Sequence, residues 1–220
     1  MVERLLSGRV APGARPCVAE FPLSDAEAAM AAFDITCSSS VSAFPLLFEQ
    51  GLGAGFRNLA SAVQDLHRVL DLRHWRGRAE VTRGETLLAR LVAWLMRFPP
   101  AGGDVSVTVA MERRGAREYW TRDFAGCRFR SVLSPAAQGG VHERFGLLRF
   151  HIGLTPGPGG SLLYPVVSGR IFGLPLPRGV LPESLAREFV DAAGRANFDV
   201  ALSLRLTGLI VRYRGWLEEA

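Results

Sequence analysis

Apolar and polar residues alternate along most of the stretch from Asp104 to Leu154. Short glycine-containing turns divide this stretch into four runs, and within each run apolar residues recur largely at every second position. A period of two is typical of β-strands that bury one face. The stretch therefore predicts an antiparallel β-meander with one dry and one wet face.

Two segments before the meander carry a helical pattern instead. Apolar residues between Pro45 and Leu70 recur at steps of three and four, and the glycines of residues 51–55 predict a break in that helix. The segment from Leu87 to Phe98 is apolar on nearly every side, which predicts a helix buried against a sheet. Between these two segments, residues 74–84 predict a short strand.

The chain after the meander predicts four further elements. In chain order they are a strand over Leu162–Phe172, a short helix over Ser184–Ala192, and strands over Phe198–Thr207 and Leu209–Leu217. Pro175 and Pro177 exclude a central strand from the GLPLP segment, because proline donates no backbone hydrogen bond.

Helices that come early and strands that come mostly together predict an α+β fold with an antiparallel sheet. A sheet of about seven or eight long strands tends to curl. We therefore expect a curved sheet packed on one or two early helices, similar to a helix-grip fold, although this chain ends in strands rather than in a long helix. A lipocalin-like β-barrel is the alternative, and it explains the two early helices poorly.

Residues 1–44 differ from the rest of the chain. Alanine, serine, proline and glycine dominate this region, and its CSSSVS segment has no structural period. We predict a poorly ordered or loosely packed arm over residues 1–44, with one short helix over Asp25–Phe33 capped by Ser24. Residues 45–220 are expected to form a single α+β domain.

Composition and charge exclude several functions. All 26 basic residues are arginine, so no lysine is present to form a Schiff base or to bind phosphate in a nucleotide-hydrolase loop. The arginines are scattered rather than clustered with aromatic residues, which predicts no nucleic-acid interface. The net charge of +5 still favours anionic ligands over cationic ones.

Cysteine usage and hydropathy indicate a cytoplasmic protein. The three cysteines, Cys17, Cys37 and Cys127, are odd in number and lack paired spacing, which is typical of reduced thiols. The N-terminus lacks the apolar core of a secretory signal, and no apolar run is long enough to span a bilayer. We therefore predict no membrane span.

One group of side chains in the meander suggests a binding site. Alternation places Arg122 on the same face as two large aromatic residues, and a buried arginine needs a carboxylate partner. Glu143 on a later strand is the candidate, and the pair could bind a carboxylate or polarise a carbonyl. A purely structural pair, or a partly solvated face, is the alternative. The predicted ligand-binding residues are Arg122, Glu143, Ser131, Trp120 and Phe129.

Other chemistry finds little support in the sequence. None of the four histidines falls at a metal-ligand spacing, so no metal site is predicted. A nucleophilic triad of Ser131 with a histidine and a glutamate would lack the usual GxSxG turn. The GLGAG segment at 51–55 lacks the preceding strand of a dinucleotide-binding fold, so no cofactor is predicted.

Several motifs occur in the order LFEQGLGAGFRNL, GRAEVTRG, WTRDFAGCRFRS, HERFG, GLPLP and FDV…GLIVRYRGWL. From about Phe44 to Leu217 this order resembles a bacterial domain family of unknown function. The resemblance implies that the domain occurs alone or fused to saccharopine-dehydrogenase-like and other NAD-dependent oxidoreductases, or to membrane proteins. It implies no activity. Its motif positions include the five predicted ligand-binding residues.

Three functions follow from these observations. We expect a soluble domain that binds a small apolar or acidic ligand in a cavity under the sheet, with Arg122 as the polar anchor. One alternative is a cofactor-independent enzyme, a cyclase or hydrolase, with Glu143 or a histidine as general base. The other is an interaction module that partners an NAD-dependent oxidoreductase.

Overall fold

The computed structural model describes residues 23–31, 33 and 45–220. The chain divides into two units, Met1–Ala43 and Phe44–Ala220. In the first unit one helix is described, α1 over Leu23–Met30, and Ser24 lies inside it rather than at its cap. The predicted loose arm over residues 1–44 lies largely outside the described residues.

Short helices precede most of the strands in the second unit. They are α2 over Leu47–Leu52, a 3-10 helix over Gly53–Asn58, α3 over Ser61–Leu66 and α4 over Leu87–Leu95, with later single 3-10 turns over Pro158–Gly160 and Arg178–Val180. The predicted break between the first helices is confirmed. It falls at Gly53, whose φ of 57° suits glycine better than any other residue.

Thirteen strands of the described second unit form one antiparallel sheet. They are β1 Leu72–Arg83, β2 Gly102–Arg114, β3 Arg117–Phe124, β4 Cys127–Pro135, β5 Val141–Phe145, β6 Leu148–Ile152, β7 Thr155–Gly157, β8 Ser161–Leu163, β9 Val166–Ile171, β10 Leu174–Pro175, β11 Glu183–Val190, β12 Ala196–Leu204 and β13 Gly208–Glu219. Their order across the sheet is β10-β9-β6-β5-β4-β3-β2-β1-β13-β12-β11-β8-β7.

The first and last strands pair in the interior of this sheet. In that pairing Val81 of β1 lies opposite Tyr213 of β13. Two glycines make the close approach possible: a Cβ at Gly77 would overlap the Trp216 carbonyl oxygen, and one at Gly215 would overlap that of Arg78. The β1–β13 pair therefore joins two blocks of strands that are each largely consecutive in the chain.

The core lies on the inner face of the sheet, against α2 and α3. Phe48 of α2 and Val63 of α3 are fully buried, as are the alternate apolar residues of β2, Val107 and Met111. The alternation predicted for the meander is confirmed in its first three strands, where the buried residues are Val107, Val109 and Met111 of β2, Trp120 and Phe124 of β3, and Phe129 and Leu133 of β4.

The predicted fold class is wrong. The sheet has thirteen strands rather than about seven or eight, and it is not the sheet of a helix-grip fold. The lipocalin-like alternative is also wrong, because the sheet is not closed into a barrel. Too few strands were predicted because some apolar runs that were taken as one strand contain two. In 141–154, for example, a turn at residues 146–147 divides the run into β5 and β6, which form a hairpin.

Two predictions in the second half of the chain also fail. Residues 184–192 do not form a helix, because 183–190 are strand β11, paired with both β8 and β12. The single strand predicted over 162–172 is two strands, β8 and β9, separated by a break that contains Pro165. The two strands pair in distant parts of the sheet. The GLPLP prediction is confirmed, since β10 at Leu174–Pro175 is an edge strand.

Helix α4 forms where it was predicted, but it is not buried. Only Ala89 and Ala93 of its residues are buried, and its large apolar side chains are mostly exposed. The side chain of Thr86 caps the helix by accepting a hydrogen bond from the Ala89 backbone N–H. The helix packs against β13, and its buried residues are the small Ala89 and Ala93.

Candidate functional site

A cavity of about 310 Å³ lies on the inner face of the sheet. Most of its lining is aliphatic or aromatic, contributed by nearly every long strand together with Phe48 and Leu66 of the early helices. Among the described residues, the charged side chains that line it are Arg122, Glu143 and Glu188. A mostly apolar cavity with a few polar groups is the usual form of a small-molecule site.

The register of three consecutive strands brings the predicted binding residues together. Trp120 of β3 lies opposite Ser131 of β4, and Glu143 of β5 lies opposite Leu133 of β4. Arg122 donates from Nη1 to Ser131 Oγ at 2.9 Å and from Nη2 to Glu143 Oε1 at 3.3 Å. The side chains of Arg122 and Glu143 are 15% and 16% exposed, so the pair is largely removed from solvent.

Aromatic rings hold the guanidinium from two sides. The Arg122 Cζ atom lies 4.7 Å from the ring centroid of Trp120 and 5.7 Å from that of Phe129. Both distances fall within the range of cation–π attraction. Four of the five predicted residues line the cavity, and Ser131 lies behind Arg122 as its hydrogen-bond acceptor. Guanidinium N–H groups beyond these two bonds can donate to a ligand.

A second polar cluster adjoins the same cavity, which its Tyr164 and Glu188 line, and the sequence did not predict it. Tyr164, between β8 and β9, donates its hydroxyl hydrogen to Glu188 Oε2 of β11. The same oxygen lies 2.6 Å from Nε2 of His67, the residue that ends α3. Burial raises the pKa of Tyr164 well above its usual value, and the neighbouring Glu188 carboxylate raises it further.

Trp120 connects the two clusters. The imidazole of His67 stacks on Phe48 with 3.7 Å between ring centroids and lies 5.8 Å from the ring of Trp120. The Trp120 indole N–H donates to Glu118 Oε2 at 2.9 Å. Desolvation raises the pKa of the buried Glu118, while the Trp120 hydrogen bond and His67 oppose that shift. The other oxygen, Glu118 Oε1, has no hydrogen-bond partner in the described part of the chain.

The arrangement needed for nucleophilic catalysis is not assembled. Within residues 45–220 no hydrogen bond joins Ser131 to a histidine, and Ser131 instead accepts from Arg122. None of the four histidines lines the cavity. Over the described ranges there is also no group of three or more His, Cys, Asp or Glu side chains placed to hold a metal ion.

Among the helices of the described residues, none is both long and apolar enough to cross a bilayer.

Most of the chain matches the model of a known protein family. A family model described as "Domain of unknown function (DUF4166)" matches residues 59–217. The match takes in the meander, both polar clusters and the β1–β13 pair. No curated protein matches the chain. The chain therefore belongs to the DUF4166 family.

Proposed function

We propose that this member of the DUF4166 family binds a small, largely apolar ligand with one polar or acidic head group in the cavity under its sheet. The observation that carries the proposal is the guanidinium of Arg122, which lies near two aromatic rings in a mostly apolar cavity of about 310 Å³. That volume lies at the lower end of the range for small-molecule sites, roughly 300–1,000 Å³.

Charge balance decides how the head group would bind. Arg122 is already neutralised by Glu143, so an acidic head group would have to take the place of Glu143 or bring its own proton. A carbonyl or hydroxyl head group needs no such exchange, because it can accept from the guanidinium beside the existing pair. The two classes of ligand therefore predict different responses to changes at Glu143.

The apolar lining would hold the remainder of the ligand. The apolar part of the lining includes Val92 and Met96, and Leu176, Val180 and Leu204. These side chains offer no hydrogen-bond partner, so this part of the cavity favours hydrocarbon. An elongated molecule with one polar end fits both parts of the lining.

The test is to measure binding of two probes that differ only in the head group, decanoic acid and 1-decanol. We expect Arg122→Gln to weaken decanoic acid binding by about tenfold or more, because it removes a charged hydrogen-bond donor. Arg130→Gln, an exposed position on the next strand, is the matched control and should bind both probes as wild type does. Native mass spectrometry of the purified protein should also show a retained ligand.

Two results would overturn this proposal. One is that neither probe binds and no ligand is retained. The other is that Arg122→Gln and Arg130→Gln bind both probes equally well. If Glu143→Gln strengthens decanoic acid binding while leaving 1-decanol unchanged, the natural ligand is acidic. If Glu143→Gln instead strengthens 1-decanol binding and leaves decanoic acid binding unchanged, the natural ligand has a neutral head group.

A cofactor-independent cyclase or hydrolase is the second candidate, and one observation favours it: Glu143 lines the cavity. A general base must reach a proton of the bound molecule, and Glu143 is held by Arg122 until a ligand releases it. Incubation of the retained ligand with fresh protein should then give a product, and Glu143→Gln should bind the ligand without converting it. Unchanged ligand with the wild-type protein excludes this candidate.

The resemblance to bacterial domains fused to NAD-dependent oxidoreductases supports a cytoplasmic protein that passes its ligand to such an enzyme. Co-elution of the two purified proteins, with and without bound ligand, tests the partnership.

A further inference from the structure

The outer side of α4 is apolar in an unusual way. A surface helix normally turns its large apolar residues inward and its polar residues outward. Helix α4 does the reverse, because the small residues Ala89 and Ala93 face the protein while large apolar side chains face solvent. The exposed apolar residues of the helix are Leu87, Leu88, Leu91, Trp94 and Leu95.

The lining of the cavity extends to the surface beside this helix. Val92 of α4 and Met96, which directly follows α4, are half-buried and line the cavity, and the exposed Val180 lines it as well. The turn after β12 lies next to the start of the helix, since Thr86 Oγ1 donates to the Thr207 carbonyl at 3.3 Å. Leu206 in that turn is also exposed. We call this surface the apolar rim: Leu88, Leu91, Trp94, Leu95, Val180 and Leu206.

Exposed arginines outnumber exposed glutamates around the apolar rim, where the acidic neighbours are Glu85 and Glu183, the latter 3.8 Å from Arg205. Residues 87–98 carry Arg90 and Arg97 and no acidic residue, and both arginines are exposed. Residues 172–182 carry Arg178 and again no acidic residue. A surface of exposed leucine and tryptophan with arginine beside them complements an anionic interface and repels a second copy of itself.

We propose that the apolar rim docks on an anionic lipid membrane surface, so that a ligand passes between the bilayer and the cavity without crossing water. The inference rests on the proposed function for the identity of what passes, but not for the docking itself. Tryptophan and leucine enter the boundary between head groups and acyl chains, and arginine pairs with lipid phosphate. A bilayer also needs no matching polar groups, of which α4 offers few.

Vesicle flotation with the full chain tests the docking. The vesicles are phosphatidylcholine alone, or phosphatidylcholine with phosphatidylglycerol. The test variant is Leu91→Ser with Leu95→Ser, whose leucines are 57% and 71% exposed. The matched control is Leu70→Ser with Leu72→Ser, 78% and 51% exposed, at the opposite end of β1 from α4. Both variants change two exposed leucines, so both should fold.

The wild-type protein and the Leu70/Leu72 control should float with the vesicles that contain phosphatidylglycerol. The Leu91/Leu95 variant should bind them about tenfold more weakly or worse, because it removes two side chains that bury on docking. Arg90→Gln with Arg97→Gln should reduce the preference for the anionic vesicles. Decanoic acid binding in solution should survive in the Leu91/Leu95 variant, whereas Arg122→Gln should bind decanoic acid about tenfold more weakly and still float.

The outcomes separate the two proposals. Retained decanoic acid binding without flotation of the wild type overturns the docking and leaves the cavity proposal intact. Flotation of the wild type without binding of either probe overturns the cavity proposal and leaves the docking intact. Equal flotation of the Leu91/Leu95 variant and its control also overturns the docking. Sedimentation analysis tests whether a second copy of this chain occupies the apolar rim instead. If the wild type is a dimer and the Leu91/Leu95 variant is a monomer, the apolar rim is a dimer interface and the docking is overturned.

Discussion

Two polar clusters line one cavity, but the chain assembles them in different ways. Arg122, Ser131 and Glu143 come from three consecutive strands, and the Arg122–Glu143 separation is 21 residues. In the other cluster, His67 is 97 residues from Tyr164 and 121 from Glu188. The first cluster is local in the sheet, whereas the second forms only when distant parts of the chain meet.

The two clusters also differ in their most buried member. His67 is fully buried and is stacked on Phe48, whereas the side chains of Glu188, Arg122 and Glu143 are 11%, 15% and 16% exposed. The distant cluster ties the end of α3 to β11, so it supports the fold. The local cluster lies on a sheet that is already paired on both sides, which leaves its side chains available to a ligand. Substitutions can therefore separate stability from binding.

The largest expected effect is that of His67→Ala. The substitution leaves a void beside Phe48 and removes a partner from the Glu188 carboxylate, which together should lower the free energy of unfolding by about 3–5 kcal/mol. His74→Ala, at an exposed position of β1, should change it by less than about 0.5 kcal/mol. Urea denaturation measures both. Similar values for the two variants would contradict a structural role for the distant cluster.

A smaller effect is expected at the local cluster. Arg122→Leu leaves Glu143 largely buried without its cation, at a cost of about 2 kcal/mol in the free energy of unfolding. Adding Glu143→Leu should restore most of that loss, because no unpaired charge remains. The exposed Arg212–Asp199 pair is the control, and breaking it should cost less than about 1 kcal/mol. A double variant no more stable than Arg122→Leu alone would refute this account.

The smallest effect is a pH dependence at Glu118, next to the residue that joins the clusters. Desolvation raises the pKa of Glu118 in the folded chain above its ordinary value of about 4.3. As the pH rises from the ordinary pKa to the raised one, Glu118 loses its proton in the unfolded chain before it does so in the folded chain. The wild type therefore loses stability over this pH range. The stability of Glu118→Gln relative to wild type should therefore increase with pH between the ordinary and the raised pKa.

Glu112→Gln is the control with the opposite sign. The hydrogen bond from Arg114 lowers the pKa of Glu112, so that carboxylate stabilises the fold above its ordinary pKa and loses this contribution as the pH falls. Denaturation midpoints measured over a pH series should show Glu118→Gln gaining on wild type at higher pH and Glu112→Gln losing. A flat difference for Glu118→Gln would show that its carboxyl is not desolvated.

The contrast between the clusters also explains what the sequence could predict about the site. A period of two fixes which residues of β3, β4 and β5 share a face, and the tight turns between these strands fix the register. Arg122, Ser131 and Glu143 were therefore predictable as neighbours. Nothing local relates His67 to Glu188, because their contact depends on how the whole sheet is ordered. Glu188 carried no signal either, because its segment was predicted as helix and the cavity-facing position of Glu188 follows only from the pairing of β11.

The fold shows the same limit. The meander was predictable from its alternation, whereas residues 184–192 read as helix because alanine, leucine, glutamate and arginine favour helices there. Pairing with β8 and β12 overrides that preference. For α4 the pattern indicated a helix but could not orient it, because a helix that is apolar on all sides has no polar face to direct outward.

The interior position of β13 has a consequence for synthesis of the chain. Strands β2 to β6 are consecutive hairpins, and they can pair as the nascent chain leaves the ribosome. One edge of β1 stays unpaired until β13 is translated, more than a hundred residues later, and one edge of β12 also stays unpaired until β13 is made. Until then both expose unpaired edges to other nascent chains. A ribosome that stalls before Gly208 would therefore hold an aggregation-prone intermediate, and a chaperone that covers strand edges would protect it.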